Sequence, residues 1–346
     1  MTRMSFLRLW QLLTSRSAFL AAVLVGTVAC SVPAYAQKGK IYRVAFVAAI
    51  SPVSELQGTD PINPAARTFV RRLRELGYAE GRNLIMDFRT LEGRNERIPE
   101  ILADIVRFKP DVIFTGTQQV VMGRNIQATA GIPVVTLASW SFVDQGIVQS
   151  LARPGGTVTG FIADVDSGVE TKRLELLRET IPGVKRVAYL GVPLLWDSPA
   201  GKGVQDAAQR LGLSLFHALY TGADVQAASV VIDREAPQAI FVAGGSTSYG
   251  NRQRIVQLAS AKRLPCFAGF REFAESGCLM SYGADNDEIV RGAAGYVAKI
   301  LEGTKPGDLP IQQPSKFELT INMKTAKALG LRIPQSILQR ADRVIE

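Results

Sequence analysis

Short, nearly continuous apolar runs alternate with amphipathic stretches along most of the chain. Residues 41–50 (IYRVAFVAAI) form an almost unbroken apolar run after a basic flank, which predicts a strand buried on both faces. In 64–76, Ala66, Phe69, Leu73 and Leu76 recur at helical spacing, with Gly77 as the stop. Residues 84–89 alternate as a strand. Asn95 is placed to cap a helix whose Ile98, Ile101, Leu102, Ile105 and Phe108 make the buried stripe, and Pro110 ends it. Strands follow at 112–115 and 134–137.

The rhythm resumes downstream, with strands predicted at 184–190, 213–218, 239–242 and 266–268. Helices are expected between them, at 171–180, 203–211, 225–235 and 252–262. Such alternation demands parallel sheets covered by helices on both faces. Roughly ten strands exceed one comfortable sheet, so the fold class is α/β with two doubly wound parallel-sheet lobes. The Pro/Gly-rich stretch 151–160 (LARPGGTVTG) lies between the two blocks, where a crossing between lobes belongs.

The first 36 residues break this pattern. Arg3, Arg8 and Arg16 precede the apolar run 18–28, and Ala34-Tyr35-Ala36 follows it with no acidic residue before. This is the layout of a secretory signal peptide, cleaved after Ala36, and the run is short for a membrane span. Lipid attachment at Cys30 is the weaker alternative, because Thr27-Val28-Ala29 lacks the leucine expected at its start. The remainder is expected in the periplasm. Of the 346 residues, 40 are Lys or Arg and 31 Asp or Glu, a formal +9; without the leader the balance is 37 to 31, or +6. These charges are scattered among acids, with no basic stripe interleaved with aromatics, so no nucleic-acid partner is expected. Cys266 and Cys278 remain, at the ends of two predicted strands. Two buried thiols are the simpler reading, and a disulfide stays open in an oxidising compartment.

Conventional catalysis has little to work with. The single histidine, His217, falls within the apolar strand LSLFHALY, so it reads as a structural or surface-facing residue rather than a base or metal ligand. There is no Gly-x-Ser-x-Gly elbow and no phosphate loop, since Trp196 stands where the first glycine before Gly201-Lys202 would be. Asp164, Asp166, Asp197 and Asp285 leave an exported carboxylate-dependent hydrolase as the alternative function. No metal site and no cofactor are expected. Instead, open parallel sheets bind ligands at the carboxyl ends of their strands, beside helix N-termini. The loops there carry Ser51, then Thr117 and Gln118, then Ser139, Trp140 and Ser141, then Trp196, then Ser246 and Thr247. Phe270 and Arg271 lie just past the strand ending at Ala268, Arg271 offering a charge for an anion. Hydroxyls and aromatics with little charge suit a small, partly apolar molecule.

Three segments carry a resemblance: 75–83 (ELGYAEGRN), GIPVV followed by DQGIVQSLARPGGTVTG (131–160), and the tail 316–346 (KFELTINMKTAKALGLRIPQSILQRADRVIE). They resemble the ABC-transporter substrate-binding protein family, some of whose members are associated with tryptophan, tyrosine or phenylalanine uptake. The resemblance implies a type I periplasmic-binding-protein fold whose lobes are joined by a three-segment hinge, near 156–161, 277–282 and 317–321. With the signal peptide as 1–36, it divides the remainder into a first lobe (37–158 plus 280–318) and a second lobe (159–279 plus 319–346). It also implies a monomeric receptor that closes on a solute, possessing no catalytic step, and delivers it to a permease in the inner membrane. Many members carry Asp-Pro where Ser141-Phe142 stand here, and Asp-Asn near Gly244-Gly245-Ser246. Those departures move the expected solute from an amino acid toward a neutral or anionic aromatic or aliphatic molecule.

Overall fold

The computed structural model describes residues 40–138, 142–143, 145–162 and 167–346. The leader-like segment 1–36, its cleavage point and Cys30 lie outside the described residues. The first sheet has five parallel strands in the order β2-β1-β3-β4-β5. They are β1 (Tyr42–Ala48), β2 (Leu84–Thr90), β3 (Val112–Thr115), β4 (Val134–Ala138) and β5 (Val158–Ile162). The interior strand β1 is buried on both faces over most of its length, while the edge strand β2 alternates. One face carries α1 (Pro64–Glu75), started by Pro64 and by the Asn63 side chain accepting from Ala66 N–H; it buries Ala66, Phe69 and Leu73. The other face carries α2 (Ile98–Phe108), which buries Ile98, Ile101, Leu102 and Ile105 and ends at Lys109 in a left-handed conformation. Asn95 does not cap α2; it opens a 3-10 turn, Asn95–Arg97, that leads into it.

The second sheet has seven strands in the order β12-β11-β10-β9-β8-β6-β7. These are β6 (Arg186–Gly191), β7 (Ser214–Leu219), β8 (Ala239–Val242), β9 (Cys266–Ala268), β10 (Met280–Ala284), β11 (Phe317–Asn322) and β12 (Arg343–Ile345). Only the β10 and β11 pair is antiparallel. The helices used below are α3 (Ser167–Thr180), α4 (Ser246–Gly250) and α5 (Arg271–Ser276), followed by α6 (Asn286–Leu301). Helix α6 leaves the second sheet and packs against α1 and strands β3 to β5, so the first lobe is completed from the far end of the chain.

Sheet membership shifts the expected crossings. Strand β5 stays with the first sheet along β4, from Val134 with Val158 to Ala138 with Ile162. The first crossing therefore falls after Ile162, rather than at 156–161. Strand β10 pairs with β9 and β11, so the chain returns at Asp285, after the expected 277–282. The third crossing precedes β11, since Gln312 still bridges to Phe161 of the first sheet. The boundaries 158/159 and 279/280 thus cut off β5 and β10 from the sheets they belong to, and 317–318 belong with the second sheet. Cys266 and Cys278 form a disulfide across the loop that contains α5, in place of the two thiols expected. No described helix is long and apolar enough to cross a membrane.

A cleft between the two sheets

The parallel register sets Phe88, Phe46 and Phe114 side by side on neighbouring strands. Phe69 of α1 closes over them, its ring stacked on Phe114 at 4.4 Å and edge-on to Phe46 at 5.3 Å. Phe46 and Phe114 form the first lobe's floor of a cavity of about 110 Å³. On the second lobe, Tyr249 of α4 and Phe270 meet edge to face at 5.5 Å and make the opposing wall. Buried apolar side chains form one continuous cluster across both walls.

The polar groups facing this cavity are neutral hydroxyls and amides. Ser51, Asn63, Gln119, Ser246, Thr247 and Asn286 line it, and no Asp, Glu, Lys, Arg or His does so among the described residues. Ser51, Asn63, Gln119 and Asn286 are held by local hydrogen bonds. Asn63 caps α1 through its oxygen and donates its amide to Ser51 Oγ at 2.9 Å. The Thr117 hydroxyl donates to Gln119 Oε1. Behind the wall lies Glu272, which is buried and accepts on Oε1 from both the Tyr249 hydroxyl and Asn286 Nδ2, each at 3.3 Å. Burial pushes the Glu272 carboxyl above its ordinary value, and burial beside that carboxyl pushes the Tyr249 phenol well up. Tyr249 therefore acts at neutral pH as a donor, not as a phenolate.

Of the residues singled out from sequence, Ser51, Ser246, Thr247 and Phe270 line the cavity. Ser139, Trp140 and Ser141 lie outside the described residues. Gln118 opens the 3-10 turn Gln118–Val121, and Thr117 is buried at its start, serving Gln119 rather than lining the cavity itself. Two positions are corrected. Trp196 packs into the second lobe, stacked on His217 at 5.1 Å and edge-on to Tyr189 at 5.0 Å, while its neighbours Val192 and Leu195 reach the cavity. Arg271 turns to the hinge, where Asp287 (3.0 Å), Glu318 (3.2 Å), Glu275 (3.5 Å) and Asp285 (3.6 Å) surround it. Four carboxylates already neutralise that guanidinium, so it has no charge to offer a solute anion. Asp285 caps α6 and is absent from the cavity lining, and Asp197 is exposed, so neither supplies a carboxylate there. Asn63, Gln119, Tyr249 and Asn286 are cavity residues that the sequence did not single out. Asn63 carried a signal, an Asn just before Pro at a helix start.

Comparison with known proteins agrees with this architecture. The profile of the family described as ABC transporter substrate binding protein matches residues 53–345. The tyrosine-binding protein of Clostridioides difficile is 25% identical over 284 residues, covering 81% of this chain and 80% of that protein. Among solved structures, a conserved domain protein of Vibrio cholerae is 28% identical with a TM-score of 0.75, over 88% of this chain and 100% of that one. An ABC domain from Streptococcus pneumoniae in complex with L-Trp shares the fold at 22% identity and a TM-score of 0.71, over 87% of this chain and 100% of that one. With a two-sheet fold, an interlobe cleft and a family match over most of its length, this chain belongs to the ABC transporter substrate-binding protein family.

Proposed function

We propose that the protein is the exported receptor of an ABC importer and that its solute is a small molecule with an aromatic body and a compact polar end. The observation that carries the solute class is the cleft's composition. Phe46 and Phe114 face Tyr249 and Phe270 across a narrow space, with neutral amides and hydroxyls at its edges. A flat ring fits between two aromatic walls, and the amides of Asn63, Gln119 and Asn286 supply donors and acceptors without a formal charge. The relatives that bind tyrosine and L-Trp support the same size class.

In this reading the leader-like residues 1–36 direct the chain to the periplasm, where it acts as a monomer. The bodies that move are 41–162 with 286–316, and 167–284 with 317–346. Solute first contacts one wall, and the closed state is favoured because only there does it touch both. The closed receptor then docks on a membrane permease, and the solute leaves unchanged. Mass analysis of small molecules released from natively purified protein, followed by a thermal-shift panel of L-tryptophan, L-tyrosine, L-phenylalanine, indole, p-cresol and pentose and hexose sugars, tests it. One aromatic member raising the melting temperature at one-to-one stoichiometry and recovered intact is the expected result. A sugar as the preferred ligand, or turnover of any probe, sinks the proposal.

A further inference from the structure

The lobes also touch outside the hinge, at a corner built from glycines. On the first lobe, the Gly93 N–H donates to Ala49 O at 2.7 Å, which sets Gly93 beside Ile50. On the second, Asn251 Nδ2 donates to Gly222 O at 2.8 Å, which sets Gly222 beside the end of α4. Across the gap, a Cβ on Gly93 would lie 2.6 Å from Gly222 Cα. A Cβ on Gly250 would lie 2.5 Å from Ile50 Cβ and 2.8 Å from its Cγ1. Carbon atoms do not approach that closely without repulsion, so each position admits hydrogen alone.

The glycines differ in what else explains them. Gly93 (φ +76°) and Gly222 (φ +57°) have left-handed backbones, which glycine adopts most readily whatever faces it. Gly250 has no positive φ and ends α4, where alanine is the better helix former. Its bare α-carbon is explained by the Ile50 side chain of the other lobe. We infer that Ile50 and Gly250 form a closure latch, in which the missing methyl at position 250 is what allows the cleft to shut. The inference rests on the receptor reading above and adds the residue pair that limits closure. Ile50 and Gly250 both line the cavity, so the latch lies at its edge and seats as the walls meet.

A methyl at 250 collides with nothing from the first lobe once the lobes separate, so its penalty falls on the closed state alone. Apparent affinity then drops by the factor by which the closed state is depopulated. The test is Gly250→Ala in the full chain, with L-tryptophan, L-tyrosine and indole as probes, read by calorimetry, small-angle scattering and methyl NMR. Wild-type protein should contract on saturation and show a nuclear Overhauser contact between the Ile50 δ-methyl and the Gly250 α-protons. Gly250→Ala should keep the ligand-free melting temperature, bind about tenfold or more weakly, and fail to contract. The exchanged pair Ile50→Gly with Gly250→Ala, which moves the bulk from one lobe to the other, should regain contraction and part of the affinity. Should Gly250→Ala itself prove unstable, that exchanged pair carries the test, and its failure to contract overturns the latch. Undiminished binding and contraction in Gly250→Ala also overturns it. If no probe binds wild-type protein, the receptor's solute class fails on its own. The protein as natively purified, with the compound it carries, then replaces the probe, and the Ile50 to Gly250 contact in that complex decides the latch, its presence supporting the pair and its absence refuting it.

Discussion

Phe270 and Arg271 are consecutive, yet they belong to two regions made of opposite materials. Phe270 faces a cavity whose described lining carries no Asp, Glu, Lys, Arg or His. One residue on, Arg271 has four carboxylates within 4 Å, drawn from α5, the second crossing and the start of β11. Burial works against that guanidinium's charge, but Asp285, Glu272, Glu318 and Asp287 more than offset it and raise its pKa. The difference separates two tasks. Charge at the hinge corner ties α5 to both returning segments, and Asp287 also accepts from Thr68 of α1 at 2.7 Å. In the proposed receptor the cleft, freed of that task, would select its occupant by shape and by neutral hydrogen bonds, which a solute can leave without breaking an ion pair.

The largest effect should come from the link that the two regions share. The Cys266–Cys278 disulfide closes the loop holding Phe270, Arg271 and Glu272. Replacing both cysteines by alanine should cost about 3 kcal/mol, the expectation for a loop of this length, measured by denaturant unfolding. Solute affinity should fall with it, and loss of stability with unaltered affinity would separate the loop from the cleft. Next comes Arg271→Met. It leaves carboxylates facing one another at a site that is one-fifth exposed, so a cost of about 2 kcal/mol is expected, smaller at high salt. A cost independent of salt would mean that Arg271 acts through packing of its stem and not through charge.

The same contrast explains what the sequence revealed. Strands β8 and β9 fall at the predicted residues because each is a continuous apolar run, and position in a buried parallel sheet needs no other signal. Helix α6 went unread although its period is present, with Ile289, Val290, Ala293, Ala294 and Val297 inward and Glu288, Arg291 and Lys299 exposed, because its many Ala and Gly side chains weaken the apolar contrast. Ser51, Ser246, Thr247 and Phe270 were legible from their place after strand ends, a consequence of topology alone. The roles of Trp196 and Arg271 were not. Trp196 is set by His217 and Tyr189, and Arg271 by Asp285, Asp287 and Glu318, partners brought close only by sheet order. The crossing points were missed by a few residues for a similar reason, since hydrogen bonding to β4 and β11 decides where β5 and β10 end.

The smallest effect should be found where the two regions meet, at Glu272. Its carboxyl accepts from Tyr249 and Asn286 of the cleft, while Arg271 and Asp287 of the hinge face it with opposing influence. Burial is the largest cause and raises its pKa above the usual 4.5. The folded protein thus holds this proton more tightly than the unfolded chain does. Its stabilising share is full below the unfolded value and is lost as pH rises through the raised folded value. Glu272→Gln keeps a carbonyl oxygen for both donors and removes the titration. At pH 4 the two proteins should unfold with similar free energies. Toward pH 8 the Gln variant should gain on wild type, within about 1 kcal/mol, because wild type alone then ionises a buried carboxyl. Chemical denaturation at four or five pH values reads the difference directly. Parallel stability curves between pH 4 and pH 8 would place Glu272 with the ionised groups of the hinge, and the neutral cleft would then end at Tyr249 and Asn286 rather than one residue deeper.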